Sequence, residues 1–436
     1  MANKHPPLHT VLPPLILGTA TFNKQYVSDP HSMPSTSIVK RAIDLGITAF
    51  DTSPYYGPSE TILGAALSNV LPPRSALTLI TKVGRIGPST FDYSAAQVRY
   101  SVLRSLKRLN DTPYLDLVYA HDVEFVTPEE VLTAVRELRR LRDEDGLVRY
   151  VGISGFPVDR LVSLAEMVKR ETGEGLDAVL SYGHFTVQNR LLGKDELEGT
   201  VGQDGKRSYL QRFKEAGVDV VLNASILGMG LLTTAGIPPD PETPVVVKTE
   251  DGAVETKSPL AKWHPSPPEL RIACKKLVSW AERAEERLET VAIRWSLAEW
   301  ARIGAETGLG VNLLLPEGGK VGATVIGVTS VRELEETVAE WNGVLDLVGP
   351  YTEAEKEHTE QGARQSSIVR LVEGAMWPTL GEQWLDYAWD SPGKDFKNEL
   401  KEADRGVVPQ DDGILASYEE AKRRARQYVE EKVGSS

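Results

Sequence analysis

The sequence is short of the residues that would anchor a disulfide, a metal ion or a membrane. Its 436 residues include one cysteine, Cys274. A single thiol makes no internal disulfide, so the fold does not depend on an oxidising compartment. Cys274 lies in RIACKK on an amphipathic stretch with nothing to activate it, and reads as a packed thiol. No stretch approaches the ~20 uninterrupted apolar residues of a spanning helix. The opening MANKHPPLHTVLPPLIL is broken by prolines and unlike a signal peptide, so a cytoplasmic protein is expected. An excess of positive charge is also missing: 49 Lys and Arg face 62 Asp and Glu, a net charge of −13. Such a surface has no general attraction for nucleic acid or anionic membrane. The expected partner is a small molecule, and the oligomeric state is left open. A metal hydrolase would need His and carboxylates clustered at strand ends. Only His121 and His184 come near to qualifying, so no metal site is expected. There is no Gly-x-Gly-x-x-Gly turn after the first strand, which argues against a Rossmann domain.

What the sequence has is alternation. Short apolar runs of β type recur at 15–18, 47–51, 77–82, 115–120, 147–153, 176–182, 218–224 and 323–328. Each is followed by a segment of helical periodicity: 35–46, 59–69, 94–109, 128–142, 157–170, 208–216, 269–302 and 330–341. Strands joined through helices run parallel. Eight such units predict a (β/α)8 barrel, although an open sheet could also hold them. Residues 1–349 are read as this barrel. Residues 236–268, rich in Pro and charge, form a long loop after strand seven that is either functional or disordered. Residues 350–436 are a C-terminal extension. Trp377, Trp384, Tyr387 and Trp389 suggest that its first half packs on the barrel, and the charged helix 417–432 reads as largely solvated.

In such a barrel the active site is built from the loops after the strands. Asp51 ends strand two, Lys82 ends strand three and His121 ends strand four, with Tyr56 in the loop after Asp51. Singly, each has a plain structural reading as a cap, a rim ion pair or packing. Together, at one end of three consecutive strands, they make a candidate catalytic set.

These segments resemble the aldo-keto reductase family. The resemblance runs through LILGTATF (15–22), FDTSPYYG (50–57), ITKVG (80–84), YAHD (119–122), VGISGF (151–156), ILGMGLL (226–232) and VIGVTSVRELEET (325–337). It implies a barrel oxidoreductase with a nicotinamide cofactor across the mouth and a catalytic tetrad of Asp51, Tyr56, Lys82 and His121. Tyr56, next to Gly57, matches the family pattern; Tyr55 does not. A free phenol has a pKa of about 10. Lys82 is expected to lower it, with Asp51 fixing Lys82 and His121 donating to the reacting oxygen.

The resemblance further implies cofactor contacts from Gly18, Thr19, Ser154, Ser181, Ser225, Leu227, Gly228, Gly230, Gly327, Val328, Thr329, Glu333, Glu336 and Thr337. The chain departs from the pattern in three places. Gly155 replaces the Asn after Ser154, strand six lacks the usual Gln and offers Ser181 or Tyr182, and Ala224 stands where a stacking Tyr is usual. The turn 225–230 still offers backbone donors to a pyrophosphate. Where members that prefer NADP carry cations, this chain has Gly327 and Glu333, with Arg332 one residue out of register. Like charge at a 2′-phosphate favours NAD over NADP. The DTSPYYGPSE and LSY segments resemble the sugar dehydrogenases of the family. That implies oxidation of an aldose, of D-arabinose or L-galactose type, at C1 to an aldonolactone, with Tyr56 as acid/base. The alternatives are an NADPH-dependent reductase of aldehydes or ketones, and a non-enzymatic barrel like the channel β subunits.

Overall fold

The short apolar runs are buried on both faces, as parallel strands enclosed by helices must be. The computed structural model describes residues 5–194, 207–249, 252–313, 319–348 and 359–433. Eight strands close a parallel barrel: β1 Leu15–Gly18, β2 Ala49–Asp51, β3 Thr78–Val83, β4 Leu115–His121, β5 Val148–Gly155, β6 Ala178–Tyr182, β7 Val220–Ala224 and β8 Ala323–Gly327. Neighbours in sequence are neighbours in space, and β8 pairs with β1 through Leu15↔Thr324 to close the ring. Tyr119 on β4 fills the interior. It fits because its partner in register on β5 is Gly152, where a Cβ would come within 2.7 Å of the Tyr119 ring.

The helices begin where the sequence supplies caps. Ser94 accepts from Gln97 N at the start of the helix Ala95–Arg108. Thr127 and Glu130 form a reciprocal capping box at the helix Pro128–Arg140, which satisfies amides that the first helical turn leaves unpaired. The apolar stretch expected as one helix over 269–302 is two, Pro268–Arg283 and Leu288–Thr307, broken where Glu285 turns left-handed at φ 59°. A single helix of that span would run about 50 Å, longer than the barrel it covers. Bent, both halves bury apolar faces, Leu277 and Ala281 in one, Val291 and Trp295 in the other.

Residues 236–268 are also more regular than expected. An antiparallel hairpin pairs Pro244–Thr249 with Gly252–Lys257, and a short helix follows at Pro259–Trp263. The C-terminal aromatics pack on the barrel: Trp377 donates from Nε1 to Val187 O at 3.0 Å and meets Trp295 edge-on. The last helix, Tyr418–Val433, is less solvated than its charge implied. Ala421 and Ala425 are buried, Tyr418 hydrogen-bonds Asp145, and Tyr428 lies 5.3 Å from the Tyr114 ring. Two alanines four residues apart give the close approach that longer side chains would block.

The amino ends of the strands are a sealed floor. Arg74 and Arg149 lie 3.9 and 3.5 Å from the centroid of the Tyr114 ring and both pair with Asp116. His9 in the N-terminal segment pairs with Asp219, just before β7. Among the described residues no helix is long and apolar enough to cross a membrane, and no three His, Cys, Asp or Glu side chains group as a metal site. Cys274 is fully buried, and burial pushes its thiol up to about 12.

Candidate active site

The carboxyl ends of β2, β3 and β4 bring the four reactive side chains together. Lys82 Nζ donates to Asp51 Oδ1 at 2.5 Å and to Thr52 O at 2.9 Å. Both partners are almost wholly buried. The Lys82 ammonium lies 4.8 Å from the centroid of the Tyr56 ring, a distance at which a cation is attracted by the ring. The imidazole of His121 stands perpendicular to that ring, with centroids 5.7 Å apart. The loop that carries Tyr56 is pinned by Tyr56 N donating to Ser53 O and by Ser59 N donating to Tyr56 O.

His121 is held on several sides. Ser53 Oγ lies 3.2 Å from Nδ1, Asp122 Oδ2 lies 3.5 Å from Nε2, and the Tyr93 hydroxyl donates to His121 O. Burial drives the imidazole down to about 3, with Lys82 and Arg85 adding to it and Asp122 opposing. The ring is therefore neutral near pH 7 and can donate one N–H. Burial works against the Asp122 carboxylate, yet Arg85, which pairs with it, and Lys82 hold it below the ordinary range. Arg85 pairs with Asp122, donates to Tyr55 Oη at 3.0 Å and covers the Tyr55 ring at 3.8 Å.

Burial raises the Asp51 carboxyl despite Lys82. For Tyr56 the direction is opposite to the expected one. Tyr56 is raised well above 10, first by burial and then by the Asp51 and Asp122 carboxylates, with Arg85 pulling the other way. The expected lowering by Lys82 does not appear: the ammonium sits over the ring and is matched by the Asp51 carboxylate beside it. Tyr56 is a neutral phenol here.

The cofactor positions implied by the resemblance fall along the rim from β5 round to β1. Ser154, next to last in β5, is in register with His121, and its buried hydroxyl has no partner among the described residues. Asp51 Oδ2 is likewise buried without one among them. A buried hydroxyl left unmatched beside the reactive set suits a polar ligand such as a carboxamide. Ser181 Oγ lies 3.3 Å from His184 Nδ1, so it already has a neighbour. Tyr182 is raised well above 10 by burial and then by the Asp122 and Glu124 carboxylates, with Arg85 opposing, and its ring lies 5.3 Å from that of Phe156. Thr19 is engaged at β2: its amide donates to Asp51 O at 2.8 Å and its hydroxyl meets Ser59 Oγ at 2.7 Å.

Gly18 and Gly327 end the paired strands β1 and β8. After β7 the backbone is strained. Ser225, Gly228, Met229 and Gly230 all have positive φ, at 57°, 56°, 53° and 106°. For the non-glycine residues this costs about 1–3 kcal/mol each. Leu227 O accepts from Gly230 N and Leu232 N. Beyond β8, Val328 O accepts from Thr21 Oγ1, and the Glu333 carboxylate reaches back to accept from Thr329 N at 2.7 Å and from its hydroxyl at 3.0 Å. Glu336 is held by Arg332 and Arg287, and the Thr337 hydroxyl donates to Glu333 O within the helix.

Sequence reasoning passed over Arg85, Asp122 and Glu124. Asp122 adjoins His121 in YAHD, a signal that was in view. Arg85 and Glu124 reach the site through loops whose course no periodicity gives. Glu124 Oε1 accepts from Phe156 N at 3.1 Å and Ser391 Oγ at 2.9 Å, while Oε2 is buried with no partner among the described residues. Burial, helped by Asp122, pushes this carboxyl up to about 8. Ser391 belongs to a C-terminal strand of chain that crosses the mouth. Gln188 holds Trp384 O and Tyr387 O, Arg190 pairs with Asp386, Trp389 stacks on Phe156 at 4.6 Å, and Phe396 meets Phe91 and Phe125.

A closed eight-stranded parallel barrel with these groups at its carboxyl mouth defines a barrel oxidoreductase. The chain belongs to the aldo/keto reductase family, whose model matches residues 14–347. Members of that family use nicotinamide cofactors. The chain is 38% identical to D-arabinose 1-dehydrogenase of Saccharomyces cerevisiae over 327 residues, 74% of this chain and 81% of the relative. It is 30% identical to L-galactose dehydrogenase of Arabidopsis thaliana over 348 residues, 79% and 87% of the two chains. The glycerol dehydrogenase of Gluconobacter oxydans shares the fold, with a TM-score of 0.50 at 20% identity over 89% of this chain and 98% of that one.

Proposed function

We propose that the chain oxidises a free aldose, of D-arabinose or L-galactose type, at C1 to the aldonolactone, with NAD as the acceptor. The observation that carries this reading is the Lys82–Asp51 pair under the Tyr56 ring, with neutral His121 at the ring's side and the unmatched Ser154 hydroxyl beside it. The names of the two sugar dehydrogenases supply the substrate class.

Oxidised nicotinamide, when bound, supplies the hydride acceptor and a positive charge. The chain supplies the rest. In this direction Tyr56 acts as the phenolate: its own proton first leaves to solvent, and Oη then takes the proton of the anomeric hydroxyl as the C1–H bond breaks and its hydride goes to the bound acceptor. Arg85 favours the phenolate, and the Lys82 ammonium steadies charge that develops on the ring. His121 donates to the substrate oxygen and orients C1. Ser154 holds the carboxamide, and the turn 225–230 holds the pyrophosphate. Ser181 or Tyr182 takes the place where a strand-six amide is usual.

NAD is favoured because the Glu333 carboxylate occupies the Thr329 amide and hydroxyl. A 2′-phosphate brought to those donors would meet like charge. Arg332, the cation nearest in sequence, is tied to Glu336. We read 1–349 as the catalytic barrel and 350–436 as an extension packed on it, a division supported by the contacts of Trp377 and Trp389.

One observation favours a second reading. A neutral phenol is ready to give a proton, as a carbonyl reductase using NADPH requires. A panel of five- and six-carbon aldoses and simple aldehydes, assayed with NAD, NADP and their reduced forms, separates the two. Aldose oxidation with NAD is expected to exceed every other combination; aldehyde reduction with NADPH as the dominant activity would reverse the assignment.

A further inference from the structure

His264 lies outside the reactive set, yet it is the most heavily braced histidine near the mouth. It follows the short helix Pro259–Trp263 and is 4% exposed. Its Nδ1 accepts from Ser266 N at 3.1 Å and lies 2.8 Å from Ser266 Oγ. With Nδ1 accepting, the ring proton is on Nε2, which is 3.0 Å from Gly228 O. Nε2–H therefore donates to the carbonyl at the start of the left-handed run Gly228–Met229–Gly230.

The backbone of His264 is fixed in turn by Arg271. That buried guanidinium donates to His264 O at 2.7 Å, Ser266 O at 3.2 Å and Pro238 O at 2.9 Å. Trp389 of the C-terminal extension meets the His264 ring at 5.2 Å and 72°. One imidazole thus ties together the turn after β7, the inserted segment and the C-terminal extension. The strained turn is a conformation that persists only where its surroundings over-determine it; His264 is bonded to its first carbonyl, and Thr233 Oγ1 donates to its last, Gly230 O, at 3.1 Å.

We infer that His264 is a positioning residue for dinucleotide binding. Its Nε2–H holds Gly228 O and so keeps the turn 225–230 in the shape that receives the pyrophosphate. This rests on the reading of that turn as part of the cofactor site. Removing the donor lets Gly228–Met229–Gly230 relax to ordinary φ, and the turn must be rebuilt each time cofactor binds. The deficit belongs to cofactor affinity, because His264 touches none of Asp51, Tyr56, Lys82 or His121.

The test is NAD and NADP titration by tryptophan fluorescence without sugar, on the full-length chain. His264→Leu fills the volume without a donor, and His264→Gln restores an N–H. His264→Leu is expected to weaken NAD binding about tenfold, or about 1.4 kcal/mol, and to raise the KM for NAD in parallel. The KM for the aldose and the turnover at saturating NAD should change about threefold or less. His264→Gln is expected to recover most of the affinity. Wild-type affinity in His264→Leu, or equal weakness in the Gln variant, overturns the role of His264 and leaves the cofactor site standing. A wild type that binds neither dinucleotide overturns both. If His264→Leu does not fold, Ser266→Ala, which loosens the ring in place, carries the same expectation at about threefold; unchanged binding there overturns it.

Discussion

The two halves of the barrel mouth are built in different ways. From β2 to β4 the reactive groups are side chains set against other side chains: Lys82 against Asp51 and the Tyr56 ring, His121 against Ser53 and Asp122. From β5 round to β8 the side chains at the rim shrink to Ser154, Gly155, Ser181, Ala224 and Gly327, and the backbone carries the shape. The left-handed turn at 228–230 and the Thr329–Glu333 cap are its main features. The first half places a proton and a charge, which only particular functional groups can do. The second half must admit a large flat molecule, which calls for room and for amides.

The largest effect should come from the first half. Tyr56→Phe removes the proton relay while keeping the ring over Lys82. Turnover is expected to fall roughly 10²–10⁴-fold with NAD affinity unchanged; near-normal kcat in steady-state assays would remove Tyr56 from its role. Lys82→Met should act on stability as well, because it leaves the Asp51 carboxylate buried and unpaired. A loss of about 3–5 kcal/mol is expected in urea melts. Adding Asp51→Asn should restore part of it, and a double variant no better than the single would argue that the pair is not coupled.

A smaller effect lies at the seam between the halves. Glu124 binds its proton more tightly in the folded chain, near pH 8, than its ordinary value of 4.5. Its contribution to stability is therefore complete below about pH 4.5 and is lost as pH rises through about 8. Thermal melts from pH 6 to 9 should show a decline in the wild type that is shallower in Glu124→Gln. Parallel curves would show that Glu124 does not titrate in this range. The smallest effect belongs to the second half: Glu333→Arg should tighten NADP about tenfold, an effect read by fluorescence titration, and no gain would unseat the preference for NAD.

This division also explains what the sequence made legible. The eight strands were readable because burial on both faces writes continuous apolar runs. Asp51, Tyr56, Lys82 and His121 were readable because each stands at or just beyond a strand end, where position alone implies direction. The break at Glu285 was not, because both helices continue the same apolar periodicity across it. The hairpin pairing 244–249 with 252–257 does leave a local pattern, β-branched residues on both sides of Asp251-Gly252, which the weight of Pro and charge around it masks; the crossing of the mouth by Trp389 and Ser391 depends on distant surfaces that leave none. The direction of the Tyr56 shift was misjudged for a related reason. One ammonium was counted, but the two carboxylates and the loss of water around the phenol act together and outweigh it.

The C-terminal segment from Trp384 to Phe396 has a consequence for how the protein is made. It covers aromatic and polar groups at Phe91, Phe125, Phe156 and Gln188. On the ribosome those surfaces emerge hundreds of residues before their cover does. At ~5–20 residues per second, the nascent barrel waits for many seconds with its rim bare, and a ribosome that stops short of Trp384 releases a barrel whose rim stays uncovered.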